Sequence, residues 1–103
     1  MIGSMQYSEK EPLFTISIAA QMVGLHPRTL MIYEKNKLLK PFRTQTNRRR
    51  YSSENLEEIK FIQYLTQKKG VNLAGVRLIL GFIDFGKKNN LDLKKTFFSD
   101  FHT

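Results

Sequence analysis

Cysteine is absent from the 103-residue chain. Disulfides, thiolate metal sites, thiol nucleophiles and sulfur-based redox sensing are therefore excluded. Histidine is scarce: His26 and His102 lie at opposite parts of the chain and make no metal-ligand cluster. Long apolar runs are also missing. The longest, Leu78 to Ile83 with Gly81 counted in, is six residues, whereas a bilayer-spanning helix needs roughly 20. The first fifteen residues carry Glu9 and Glu11 and no apolar stretch of signal-peptide length, so a cytoplasmic protein is expected. Met1 to Met5 need not all be native. The length corresponds to one domain at roughly 100 to 200 residues per domain, which excludes a two-domain enzyme. No Ser, His and acid set assembles and no glycine-rich phosphate loop occurs, so neither an enzyme nor a cofactor is expected. A composition 41% hydrophobic and 12% aromatic is enough for a packed core.

Acidic residues are few, nine against seventeen basic ones, for a net charge of +8. In so small a domain that excess suggests a polyanionic partner. It is also concentrated: residues 26–50 hold eight basic groups and one acidic group, while the flanking stretches are close to balanced. A charge run is commonly only a solvated face, so its meaning depends on whether local structure focuses it.

Residues 1–12 are polar, mixed in charge, and read as a flexible leader. Leu13 to Ile16 alternates weakly, as a short strand would. Ser17 is a candidate N-cap for a helix through Val23 that Gly24 ends as a C′ glycine. Pro27 fits the first turn of a second helix, running to Asn36 or Lys37, because it has no amide proton to lose there. Two short helices with so tight a turn make a helix-turn-helix. A helical wheel puts Leu30, Tyr33, Glu34 and the stem of Lys37 on one side and Arg28, Met31, Ile32 and Lys35 on the other. The second side suits a major groove, where arginine pairs with guanine and an aliphatic group meets a thymine methyl; the competing reading makes Met31 and Ile32 core. His26 reads as a turn or phosphate contact rather than a base, and Ser17, at the start of the first helix, joins the candidate DNA contacts.

Residues 40–51, KPFRTQTNRRRY, suggest a short hairpin with Asn47 in a left-handed turn. If residues 48–51 are extended, Arg48 and Arg50 face one side and Arg49 and Tyr51 the other, a charged wing able to clamp phosphates. Ser52 is the N-cap of a third helix with a core stripe of Leu56, Ile59, Phe61 or Ile62, and Leu65, stopped by Gly70. Asn72 caps a fourth, Leu73 to about Phe85, apolar nearly all round and broken at Gly86. Leu93, Phe97 and Phe101 are spaced to share one face of a short final helix, which either closes the core or meets a partner. The expected fold is mainly α: a winged helix-turn-helix over residues 13–86 with a short β-hairpin wing and two further helices. Residues 87–103 then form a short segment available to a dimer or partner.

In this order the segments resemble the MerR superfamily of winged helix-turn-helix regulators. The resemblance is carried by residues 16–20 (ISIAA), 24–30 (GLHPRTL), 32–34 (IYE), 38–41 (LLKP), Arg43-Thr44 and Arg49-Arg50-Tyr51-Ser52, and spans residues 14 to 83, about two thirds of the chain. Residues 70–76, GVNLAGV, look like the HspR branch of heat-shock repressors. The resemblance implies a bacterial, nucleoid-associated regulator that binds an inverted repeat in double-stranded DNA as a homodimer. On the HspR branch it implies repression at chaperone promoters with a DnaK-like chaperone as co-regulator. By position, Arg28, Thr29 and Tyr33 fall on the DNA-reading helix and Arg43, Arg49, Arg50 and Tyr51 on the wing.

Three departures stand out: Met31 occupies a position usually arginine, Gln45-Thr46-Asn47 replaces a glycine-rich wing tip, and residues 91–103 are too few for the long coiled coil by which many members pair. Pairing is then expected to be weak or to use another surface. An excisionase-like or architectural DNA-binder, and an interaction module that has lost DNA binding, are the competing functions.

Overall fold

The computed structural model of the chain describes residues 8–101; the expectations for Met1 to Met5 and the rest of residues 1–7 fall outside them, as does His102. Five helices and one hairpin follow in order: α1 (Ile16–Val23), α2 (Pro27–Lys35), β1 (Phe42–Arg43), β2 (Arg49–Arg50), α3 (Ser53–Gln67), α4 (Leu73–Lys88) and α5 (Leu93–Phe97). Helix α1 packs on α2 and α3, α4 on α3, and α5 on α4.

The helix ends explain the chain's turns. Thr15, not Ser17, caps α1: its backbone is extended and its hydroxyl accepts from the Ile18 N–H at 3.3 Å, so Ser17 lies exposed in the first turn. Gly24 takes the left-handed conformation at φ 71°, and its N–H and that of Leu25 close the helix onto carbonyls of its last turn. Helix α2 ends at Lys35, slightly before the expected Asn36 or Lys37, because Lys37 itself adopts φ 61°. Ser52 and Asn55 cap α3 reciprocally, each side chain accepting from the other's backbone N–H at 3.0 and 2.9 Å.

Only a single bridge forms where a strand was expected at residues 13–16: Phe14 pairs with Tyr51 through two backbone hydrogen bonds. The segment before it is also tied down, since the Glu54 N–H donates to the Glu9 carbonyl.

The core is one cluster drawn from every helix except α5, from Leu38 and Leu39 after α2 and from the end of the wing, with Leu30, Tyr51, Ile59, Ile62, Leu65 and Val76 almost fully enclosed. Gly86 does not break α4, which runs on to Lys88. It is buried because Leu93 folds back against it, and a Cβ there would come within 2.6 Å of the Leu93 side chain. The final segment also departs from its expected face. Helix α5 stops at Phe97, so Phe98 and Phe101 turn inward onto Phe61, with ring centroids at 5.6 and 5.1 Å, while Phe97 stays outside. Lys94 lies between the rings of Phe61 and Phe101, its ammonium 4.6 and 4.9 Å from their centroids.

Candidate nucleic-acid interface

Helix α2 begins on a histidine cap. The His26 Nδ1 accepts from the Arg28 N–H at 3.0 Å, with Pro27 at the first helical position. In a neutral imidazole an accepting Nδ1 leaves Nε2 as the N–H donor, so this exposed ring adds an outward donor to the amides of the helix start. Leu30 and Tyr33 anchor the inner face in the core. Arg28, Met31, Ile32 and Lys35 are left on the outer face, with Thr29 half-buried at its edge. Met31 is 40% and Ile32 42% exposed, so the reading that made them core residues is not realised. Two cations and two aliphatic side chains form one uncovered strip of helix.

The wing stands against this helix through one carboxylate. Arg43 and Arg49 are cross-strand partners, so their side chains leave the hairpin on the same face. Both reach Glu34: Arg43 Nη2 donates to Oε2 at 2.8 Å and Arg49 Nε to Oε1 at 2.7 Å. Partial burial pushes the Glu34 carboxyl up, but the hydrogen bonds from Arg49 and Arg43 and their charges outweigh it, and the net shift is downward. The hairpin is shaped for this reach by Asn47, which adopts φ 62° and donates its N–H to the Thr44 carbonyl, while Arg43 Nη1 returns to the Asn47 carbonyl. The helical pattern of the sequence places Glu34 only on the inner side of α2. Its being the one acid in the basic block of residues 26–50 was the available signal.

Arg50 takes the opposite face of the strand. With Arg48, Arg49, Asn47, Thr15, Ile16 and Ser17 it lines a cleft of about 500 Å³ between the start of α1 and the wing. Ser17 therefore lines the same cleft as the arginines. Of the wing cations, Arg43 and Arg49 already balance Glu34, and Arg48 is exposed.

Tyr33 and Tyr51, both candidates for the DNA surface, are core residues instead. Tyr33 packs inside with its hydroxyl pushed up by burial and partly eased by Thr66. Tyr51 is fully enclosed, and its hydroxyl has no hydrogen-bond partner among the described residues. Burial, only partly offset by Arg49, pushes it up to about 12. On the wing, Arg49 turns to Glu34 and Tyr51 to the core, so these two residues pack onto the domain instead of facing a ligand.

Residues 14–82 match the family of MerR helix-turn-helix regulatory proteins. The chain belongs to the MerR family. It is 43% identical over 75 residues, 73% of its length, to a Streptomyces coelicolor protein that carries the name heat shock protein HspR, of which this covers 50%. It is 35% identical over 69 residues, 67% of its length, to the transcriptional regulator GlnR of Bacillus cereus, of which this covers 53%. The chain thus spans about half the length of these relatives. Its fold matches that of HiNmlR, a MerR family regulator lacking the sensor domain, solved bound to promoter DNA. The TM-score is 0.60 and the identity 27%, over 64% of this chain and 52% of that one.

This MerR chain accordingly belongs with DNA-binding regulators of transcription. Among the described residues no grouping could hold a metal ion, and no helix is long and apolar enough to cross a membrane.

Proposed function

We propose that this MerR domain binds an inverted repeat as a dimer, with α2 of each copy in a major groove and the wing on the flanking backbone. In this reading it acts at the nucleoid as a repressor of heat-shock genes. The observation that carries the DNA part is the uncovered strip of Arg28, Met31, Ile32 and Lys35 on a helix otherwise anchored in the core. Arg28 supplies a bidentate donor for guanine, and Met31 and Ile32 supply apolar contact for thymine methyls. In this reading His26, Ser17, Arg48 and Arg50, around the strip, meet phosphates, which fixes register without reading sequence. Heat-shock targets are suggested by the relative named heat shock protein HspR, and a DnaK-like chaperone as co-regulator by the resemblance of residues 70–76 to the HspR branch.

Fluorescence anisotropy with an inverted-repeat duplex from a heat-shock promoter and a scrambled duplex of equal length tests the reading. Tighter binding to the first, with footprint protection of two half-sites, is the expected result. Equal binding to both would favour an architectural binder, and binding to neither an interaction module.

A further inference from the structure

A second cleft, of about 440 Å³, opens where the segment after α2 meets α3, α4 and α5. Its volume is within the roughly 300 to 1,000 Å³ of small-molecule sites. The floor is apolar: Leu38, Phe61 and Ile62 are buried and Leu80 is half-buried. Gly81, which also lines it, has open space where a Cβ would stand.

Cations surround this floor. Lys37, Arg77, Lys87 and Lys94 all line the cleft, and among the described residues none of them forms an ion pair. The two acids that line it are engaged by other residues: Asp84 meets Lys88 at 3.3 Å, and Glu58 accepts from the Asn55 side-chain amide at 2.9 Å. Lys94 is half-buried, whereas the other three cations are exposed. Its ammonium stands over the rings of Phe61 and Phe101, which attract a cation but supply no counter-charge. Burial, and then the nearby charge of Lys87, pull it below the ordinary lysine value against the opposing charges of Glu57, Asp92 and Glu58. An anion seated between Lys87 and Lys94 would offset that cost.

The lining selects among anions. Inorganic phosphate gains the cations but gives nothing to the apolar floor, and Glu58 and Asp84 repel a second negative charge. A neutral hydrocarbon covers the floor and leaves the ammonium groups without a counter-ion. One carboxylate on an apolar body satisfies both.

We infer that this cleft is a binding site for a small organic anion, a single carboxylate on an aromatic or aliphatic body, held by Lys87 and Lys94 over a floor of Leu38, Phe61, Ile62 and Leu80. The site goes beyond the DNA surface proposed above and involves none of its residues.

Methyl-resolved NMR titration of the full chain, without DNA, reads it directly. Cinnamate is the probe, cinnamyl alcohol its neutral counterpart, and acetate the charge without the body. Cinnamate is expected to shift the methyls of Leu38, Ile62 and Leu80 with a dissociation constant on the order of a millimolar or tighter, as suits a fragment. Cinnamyl alcohol and acetate should each bind at least about tenfold more weakly. Lys94→Met should weaken cinnamate about tenfold and Lys94→Arg much less, while Lys87→Gln should weaken it about threefold. Lys87 is exposed, so that variant keeps the test valid if Lys94→Met loosens the fold. Lys95→Gln, at an exposed position outside the cleft, should titrate as wild type.

Three results would overturn the inference: cinnamyl alcohol binding as tightly as cinnamate, Lys94→Met and Lys87→Gln both titrating as wild type, or shifts absent from the cleft. The last includes shifts confined to the Leu78 methyls, which stand 77% exposed on the outer side of α4 and would report a merely apolar contact there.

Discussion

Glu34 shows how one side chain sets the geometry of the reading surface. It is the sole acid among the basic residues 26–50, and it holds an arginine from each wing strand. Removing its charge leaves two guanidiniums close together, so Glu34→Gln is expected to cost roughly 1 kcal/mol, a figure kept small because both arginines are partly solvated. Its pH dependence follows from the lowered carboxyl. The folded state holds its proton less tightly than the unfolded chain, so the stabilisation is complete above the ordinary glutamate range and is lost as pH falls through the folded value. Urea unfolding at neutral pH should therefore separate wild type from Glu34→Gln, and the gap should close on acidification below about pH 4. His26 makes a second residue-scale case, since its Nδ1 is the cap of α2. His26→Ala should lose about 1 kcal/mol, and His26→Asn, which keeps an accepting side chain, should lose little.

At the scale of elements, what was legible in the chain is what local chemistry decides. Pro27 and Gly24 marked the helix-turn-helix, Ser52 and Asn72 the starts of α3 and α4, and Asn47 the wing turn, and each does so in the structure. The readings that differed depend on contacts between elements. Glu34 gained its role from a hairpin nine and fifteen residues away, Tyr51 was drawn inward by packing, and Gly86 resembled a breaker because Leu93 is remote in the local pattern.

The two glycines of α4 test this distinction. Gly81 has open space where a Cβ would go, so Gly81→Ala should raise stability by about 0.5 to 1 kcal/mol from helix propensity. Gly86→Ala should instead lower it by about 1 to 3 kcal/mol, because the new methyl meets Leu93 and the Leu91 carbonyl. Thermal melts of the two variants should move in opposite directions. The wing offers a parallel contrast: Arg48→Ala and Arg50→Ala, from the cleft face, should each reduce the salt slope of DNA binding by about 0.9 if each residue holds a phosphate.

For the whole molecule, the question is whether the C-terminal aromatics serve the core or an interface, and the structure divides them. Phe98 and Phe101 lie edge-on to Phe61, Phe101 also leans on Tyr64, and Asp100 ties the Tyr64 hydroxyl and Lys69 together. These contacts close the open side of α3, while Phe97 faces outward beside Phe82. A chain cut after Asn90 would uncover Phe61 and Tyr64 and remove Leu93 from Gly86, so it should lose several kcal/mol, as expected when more than one partly buried phenylalanine is removed at about 25 cal/mol per Å². Such a truncation cannot by itself report on association, because it damages the fold first. Phe97→Ser removes apolar surface that is already mostly in solvent, and should leave the unfolding midpoint of the dilute protein nearly unchanged. Chemical unfolding of the two variants, followed by circular dichroism, decides the division. A truncated chain as stable as the full one would place Phe98 and Phe101 outside the core, whereas a large loss in Phe97→Ser would place Phe97 within it.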